Sequence, residues 1–575
     1  MMYVVLLLGS LALAFVARHR FYPRLYAGIP YNKHSANRLT GDIPDLTPII
    51  KATNEYSSAL LAVTTERLRR PLAQLLFPAL RPPLLILDDP REIEDVLVRR
   101  GREFDRAPVS MHILRHCFRN AMMTQFNTAP GLRDQKRVWA DAFGADFLRR
   151  VAAPSIYQAT LELLELWHLK ATSRPFRVLE DFHNATFDAM WVALTGEKAG
   201  LIHHEIEKLQ HEQSQSAASG VGGREHLIGP SPHEHVIKKE VEYVNGMIAK
   251  GFGSIGLSRL AQMVSAYLPR HRQFRRTVDT EVGLVIRKAM DRFQRLETDY
   301  SEAGEGDTCM MDMVLRRKVA EAGKSGQPLM DPTKDKVLID DTFMMILAGY
   351  DTTADALTWF VRYMESYPEA QTKLRAVLKA AFPDTKTPSM EEILGTDIPY
   401  LDAVCEETFR LGGVAKGNLR STTVDTHILG HFVPKGTELF MNFHVDHAPY
   451  PVDEEDRSAS SQAAGKKLTV GKGASHYKAV AIRDLGSFEP RRWLVTDEKT
   501  DKEVFDAQAL PQLAFGGGYR GCSGRKLAAM EFRTVAALLV LNFELLELPE
   551  AMKTLKTHEK MLRLPDMPFA SLRAL

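Results

Sequence analysis

Apolar and polar positions recur along this chain mostly at helical spacing, with a short β-like stretch late in the sequence. Residues 1–17 are nearly unbroken apolar sequence. Leu84-Leu-Ile-Leu87 predicts a short buried strand, and Asp89-Pro90 then opens a helix over 91–100 that Gly101 ends. Residues 131–153 turn from basic to apolar and predict one helix. Residues 201–235 are polar and rich in histidine, glycine and serine, which reads as a surface segment. A helix over 236–250 follows, and 297–331 is charged and linker-like. The longest helical pattern covers 334–367 and stops at Pro368. A shorter helix is expected over 400–411. Beyond it, alternation and β-branching predict strands over 421–429 and 437–445. Residues 452–481 read as an inserted surface loop, and 525–540 as a closing helix of strong helix formers. No internal repeat is present.

The expected fold is therefore mainly α with a small β-region. Its 575 residues are 45% apolar and 25% charged, the balance of a globular chain with ample core. Lys+Arg of 74 against Asp+Glu of 72 leaves a net charge of +2, with no excess of basic residues to suggest a nucleic-acid partner. Cys117, Cys309, Cys405 and Cys522 are widely spread, without metal-pair spacing or a disulfide framework, which favours a reducing compartment.

Charge also bears on the apolar start. As a helix, 1–17 spans roughly 25 Å, slightly less than a ~30 Å hydrocarbon core. Arg18, Arg20 and Arg24 follow it and no charge precedes it, so a retained anchor with the body in the cytosol is expected. A cleaved signal peptide ending near Ala12-Leu-Ala14 is the alternative. The chain then divides into the anchor (1–17), a lead-in (18–80) and the main body (81–575).

Candidate chemistry concentrates in Phe515-Gly-Gly-Gly-Tyr-Arg-Gly-Cys-Ser-Gly524. Its glycines allow tight turns and close approach to a flat ligand. Cys522 stands at the start of the closing helix, where free N–H groups and the positive dipole end favour a thiolate. Taken alone, a buried structural cysteine beside a glycine turn explains it as well. Elsewhere, Gly251-Phe-Gly253-Ser-Ile-Gly256 fits the dinucleotide spacing, but a helix rather than a strand is expected before it, so it reads as a loop. Inside the longest helix, Ala348-Gly-Tyr-Asp-Thr-Thr353 is a poor local choice for a helix interior and marks a candidate site.

The spacing Phe515, Gly518, Arg520, Cys522, Gly524, continued by Leu527, Ala528 and Glu531, closely resembles the haem-binding loop of the cytochrome P-450 family. That resemblance implies a haem-thiolate fold holding haem b through Cys522, with Phe515, Gly518, Arg520 and Gly524 around the cofactor. It implies that Gly349 lies where the long helix crosses the haem and that Asp351 and Thr352 deliver protons. Glu407 and Arg410 resemble the family's Glu-x-x-Arg pair, with Arg492 as its third partner. Arg420 and Arg137 are the expected propionate ligands, although Arg133 and Arg491 stand where other residues are usual, and Gly412-Gly413 replaces a more usual proline.

The implied activity is insertion of one oxygen atom from O2 into an apolar small molecule. Electrons would come from a separate NADPH-dependent cytochrome P-450 reductase, and membrane lipid would hold the anchor. The sequence is similar in style to membrane-anchored fungal members of secondary metabolism, whose substrates are terpenoids, polyketides or alkaloids. Isomerisation or dehydration without O2, and haem binding without catalysis, are the other classes.

Overall fold

Asp335 starts the helix around which the rest of the molecule packs. Its carboxylate accepts from the N–H groups of Val337 (2.9 Å) and Leu338 (3.2 Å), donors that a helix N-terminus otherwise leaves free. The helix runs Lys336–Ser366, and Pro368, which cannot continue it, opens the next helix, Pro368–Ala381. From Leu338 to Glu365 every residue of this central helix is buried except Ala348, Gly349 and Thr352, so beyond its first turn it lies inside the protein and has no solvent face. Leu179–Thr195, Pro399–Gly412 and Arg525–Asn542 pack against it. This computed structural model describes residues 20–79, 81–171, 174–219, 235–253, 264–265, 267–295, 306–326, 330–470, 484–497 and 499–575.

Beside the helices, one sheet orders its strands Leu72–Leu75, Leu84–Leu87, Glu438–Asn442, Gly417–Thr422 and Phe104–Arg106. Only the pairing of Leu84–Leu87 with Glu438–Asn442 is parallel. The register of the last pair sets Arg106 directly opposite Arg420.

Several sequence expectations need correction. Residues 201–219 are a helix, Leu201–Ser219, whose Leu201, Ile202 and Ile206 are buried. Its start is capped from outside: Asp188 accepts from the N–H groups of Leu201 and Ile202, each at 3.0 Å. No local start signal was therefore visible. Within the expected linker, Met310–Ser325 is a helix that buries Met310, Met311 and Val314. The single helix expected over 131–153 breaks at Gly144, where ψ is 153°, leaving Leu132–Val138 separate from the helix that runs on through Ala153–Lys170. In the inserted segment, Ala459–Val470 is also helical. Just before it, Arg457 pairs with Asp89 at 2.8 and 2.9 Å, pinning the insertion to the helix opened by Pro90.

The decoy glycines Gly251 and Gly253 end the helix Val236–Gly253, and Gly256 lies outside the described residues. The expected anchor at 1–17 also lies outside them. Among the described residues no helix is long and apolar enough to cross a membrane.

Candidate active site

The cysteine loop is tied back on itself. The Cys522 N–H donates to the Phe515 carbonyl (2.9 Å), Gly521 to Gly518 (3.0 Å) and Gly516 to Leu513 (2.8 Å). Gly516 and Gly518 carry φ of +62° and +61°, a region costly for any residue with a Cβ. A Cβ on Gly518 would also overlap the carbonyl oxygen of Leu97. Gly518→Ala should therefore yield protein with much less haem, read as haem absorbance per mole of purified protein. Gly323→Ala is the control, because a Cβ there, in the helix Met310–Ser325, would meet nothing within 4 Å. Equal haem content in the two variants would show that the Leu97 contact does not shape the loop.

Cys522 is accessible because it opens into a cavity of ≈1360 Å³, which Phe515, Gly524, Gly349, Thr352 and Thr353 also line. Surrounding protein raises the thiol above its ordinary pKa, while the backbone N–H groups of Gly524 and Arg525 and the charge of Arg525 oppose that rise. Binding to a metal would remove the proton outright. Much of the rest of the wall is apolar, including Ile113, Met123, Ile248, Phe252 and Met345.

At one end of this cavity stand Arg106, Arg420 and Arg520, with Lys136 beside them. Arg420 bonds to Asn418 Oδ1 (2.8 Å) and to the Leu419 carbonyl. Arg520 reaches Asn127 Oδ1 (2.5 Å) and the carbonyls of Met122 and Gln125. None of the three arginines forms an ion pair among the described residues, and Arg106 Nε is buried without a hydrogen-bond partner. The nearest carboxylate, Asp105, accepts from the N–H groups of Arg106 and Asn127 instead. Burial and neighbouring arginines accordingly push Arg106 and Arg420 well below the usual arginine range. Like charges directly opposite across a sheet are unfavourable, so this pair is built for an anion. A flat apolar group with carboxylates, reached by a cysteine, fits these walls.

Arg137 is elsewhere. It is half exposed and pairs with Asp134 (2.7 Å) and Glu321 (3.2 Å) on the surface. Lys136, one residue earlier and so about 100° round the helix, faces the cavity and donates to the Tyr519 carbonyl (2.6 Å). Sequence reading missed both Lys136 and Arg106. For Arg106 the only available signal was its place at the end of a strand.

Gly349 lines the cavity, but a Cβ there would meet Met190 Sδ at 2.6 Å, so its first role is to admit Met190 from the neighbouring helix. Thr352 also faces the cavity, its hydroxyl donating to the Ala348 carbonyl (2.9 Å) and leaving its oxygen lone pairs free to accept. Asp351 points the other way. It is buried behind the central helix, with Asn245 Nδ2 at 2.8 Å and His183 Nε2 at 3.2 Å. Glu531 lies buried beside Thr353. Burial raises its pKa to about 8, opposed by the hydrogen bond to Thr353.

Away from the cavity, Glu407, Arg410 and Arg492 come together as the pattern anticipated. Arg410 holds Glu407 through two bonds (2.8 and 2.6 Å), and Arg492 Nε lies 3.5 Å from Glu407 Oε1. Trp493 Nε1 (2.9 Å) and the Glu489 N–H (3.0 Å) complete the carboxylate's partners. All three charged side chains are buried.

Comparison with known proteins agrees with this geometry. The family model "Cytochrome P450" matches residues 79–448 and 486–571, skipping the whole insertion. The cytochrome P450 monooxygenase TRI13 of Fusarium sporotrichioides is 28% identical over 98% of both chains. The cytochrome P450 monooxygenase xilC of Penicillium rubens is 29% identical, over 96% of this chain and 93% of that one. A crystal structure of a cytochrome P450 (CYP102L1), 17% identical, superposes with a TM-score of 0.65 over 96% of this chain and all of the other. Matched by that family model over most of its length, the chain belongs to the cytochrome P450 family of haem-thiolate monooxygenases.

Proposed function

We propose that this protein oxygenates an apolar small molecule of fungal secondary metabolism, with Cys522 as the residue that would hold the iron of haem b. The single observation that carries the reading is one cavity lined by Cys522, Thr352 and three arginines that have no ion-pair partner among the described residues. When bound, haem would supply the iron for O2 reduction, and thiolate ligation would favour O–O cleavage. Arg106, Arg420, Arg520 and Lys136 would hold the propionates by charge-assisted hydrogen bonds. The apolar wall excludes water and orients the substrate. The Thr352 hydroxyl, which faces the cavity, would accept a hydrogen bond from water and relay a proton into the cavity, with Asp351 as the acid that would recharge it.

The test is NADPH- and O2-dependent product formation. The product is found by mass spectrometry, comparing cells with and without the protein. Turnover without O2 uptake would replace oxygenation by isomerisation. Thr352→Ala is expected to bind haem normally yet form about tenfold less product per NADPH, with peroxide released in its place; general acid–base groups are worth roughly 10²–10⁴-fold and water substitutes in part. An unchanged ratio would remove Thr352 from proton delivery.

The redox partner is assigned as an NADPH-dependent cytochrome P450 reductase, and the compartment as the endoplasmic-reticulum membrane, facing the cytosol. The apolar run 1–17 followed by Arg18, Arg20 and Arg24 supports the membrane anchor and its orientation. Deleting 1–17 should move most of the protein from the membrane pellet to the supernatant with haem content intact. A mature protein beginning at Phe15 would favour secretion instead.

A further inference from the structure

Behind the central helix, on the side away from the cavity, one imidazole nitrogen is shared by two carboxylates. His183 Nε2 lies 3.2 Å from Asp351 Oδ1 and 3.4 Å from Asp355 Oδ1, meeting neither in a well-aligned hydrogen bond. Asp351 and Asp355 are one helical turn apart, so both face the helix Leu179–Thr195 that carries His183. Asn245, from the helix Val236–Gly253, holds the other oxygen of Asp351 at 2.8 Å. Nearby charges come from each packed element: Glu180 beside His183, Lys238 paired with Glu180, Glu242, and Lys560 near Asp355. Tyr350 stands edge-on to the imidazole, its ring centre 5.8 Å away. Burial works against a charged imidazole, yet the two carboxylates outweigh it and raise His183 to about 10.

An acid that serves Thr352 must turn from this rear pocket towards the cavity, because Asp351 does not line the cavity and Thr352 does. Leaving a buried imidazolium without a partner would oppose that turn. Asp355 removes the obstacle, since it already lies within reach of the same nitrogen.

We propose that His183 is the positioning residue for proton delivery: it parks the Asp351 carboxylate behind the central helix, and Asp355 takes over the imidazolium when Asp351 turns towards Thr352. No bond is made or broken in this step; one ion pair replaces another. The inference rests on the monooxygenase reading above and assigns two residues, His183 and Asp355, that the sequence pattern did not.

The experiment uses full-length, haem-loaded protein with its reductase, NADPH and O2, and no organic substrate. It reads NADPH consumption, the share of electrons appearing as peroxide, and both again in D2O. Asp355→Asn leaves His183 bound to Asp351 alone, so NADPH consumption should fall about tenfold with a larger solvent isotope effect, the size typical of a group that orients a functional side chain. His183→Gln removes the charge that parks Asp351, so the peroxide share should change, and should change no further when combined with Asp351→Asn. If His183→Ala does not fold, His183→Gln and Asp355→Asn still decide. Normal folding with unchanged consumption, peroxide share and isotope effect in both variants would overturn the proposal. So would a His183→Gln effect of equal size in the Asp351→Asn background, because His183 would then act independently of Asp351. Failure of the wild type to consume O2 at all would instead overturn the monooxygenase reading.

Discussion

Cys522→Ala abolishes the absorbance band at about 450 nm of the reduced, carbon monoxide-bound protein, because that band reports thiolate on the haem iron. Cys117 and Cys405 cannot take over. Both are buried away from the cavity, with thiols that burial pushes up, Cys117 to about 12. Cys309 is likewise buried, held near Arg292 and Asp312 outside the cavity. The loop itself survives the change, since its hydrogen bonds are made by backbone atoms. The arginine cluster is untouched as well, so Cys522→Ala is expected to keep part of its haem while losing all oxygenation. The measurement is the carbon monoxide difference spectrum at equal haem content. A surviving 450 nm band would remove Cys522 from the iron and with it the proposed chemistry.

Glu407→Ala gives little soluble, haem-loaded protein. The carboxylate is fully buried and accepts from Arg410, Trp493 and the Glu489 backbone, with Arg492 beside it. Removing it strands two buried guanidinium groups. Breaking a buried pair from one side costs ~3–5 kcal/mol, and each further orphaned buried donor costs about 1–3 kcal/mol. A domain's net stability of ~5–15 kcal/mol leaves little after such a loss. Arg410 and Arg492 are not fully lost to the fold, because they also donate to the carbonyls of Leu485 and Asp484. Glu407→Gln keeps the shape and one acceptor, so a smaller loss is expected from it. Soluble haem-loaded yield and thermal unfolding of the two variants measure the difference. A normal unfolding temperature for Glu407→Ala would mean that the cluster does not hold the helix Pro399–Gly412 to the segment Pro490–Trp493.

What the amino-acid sequence determines by itself is whatever is set within a few residues. The cysteine loop was legible because Gly516 and Gly518 must adopt positive φ and only glycine does so cheaply. The central helix was legible because its pattern is long and Pro368 marks its end in the sequence, although its start at Asp335 was not read. Glu407 and Arg410 share a helix face by spacing alone, and the strand Leu84–Leu87 is an apolar run with turns at both ends. Tertiary structure decided everything that depends on what lies opposite. The helix Leu201–Ser219 is capped by Asp188 of another helix, so its own residues carry no start signal. Whether Lys136 or Arg137 reaches the cavity is a matter of about 100° of helix rotation, and packing sets that angle. Arg106 is a site residue only because strand register places it against Arg420. Asp351 and Thr352 are neighbours in sequence, yet a helix turns successive side chains to different sides. Only the packing of the helix Leu179–Thr195 shows that Asp351 faces His183, while Thr352 faces the cavity.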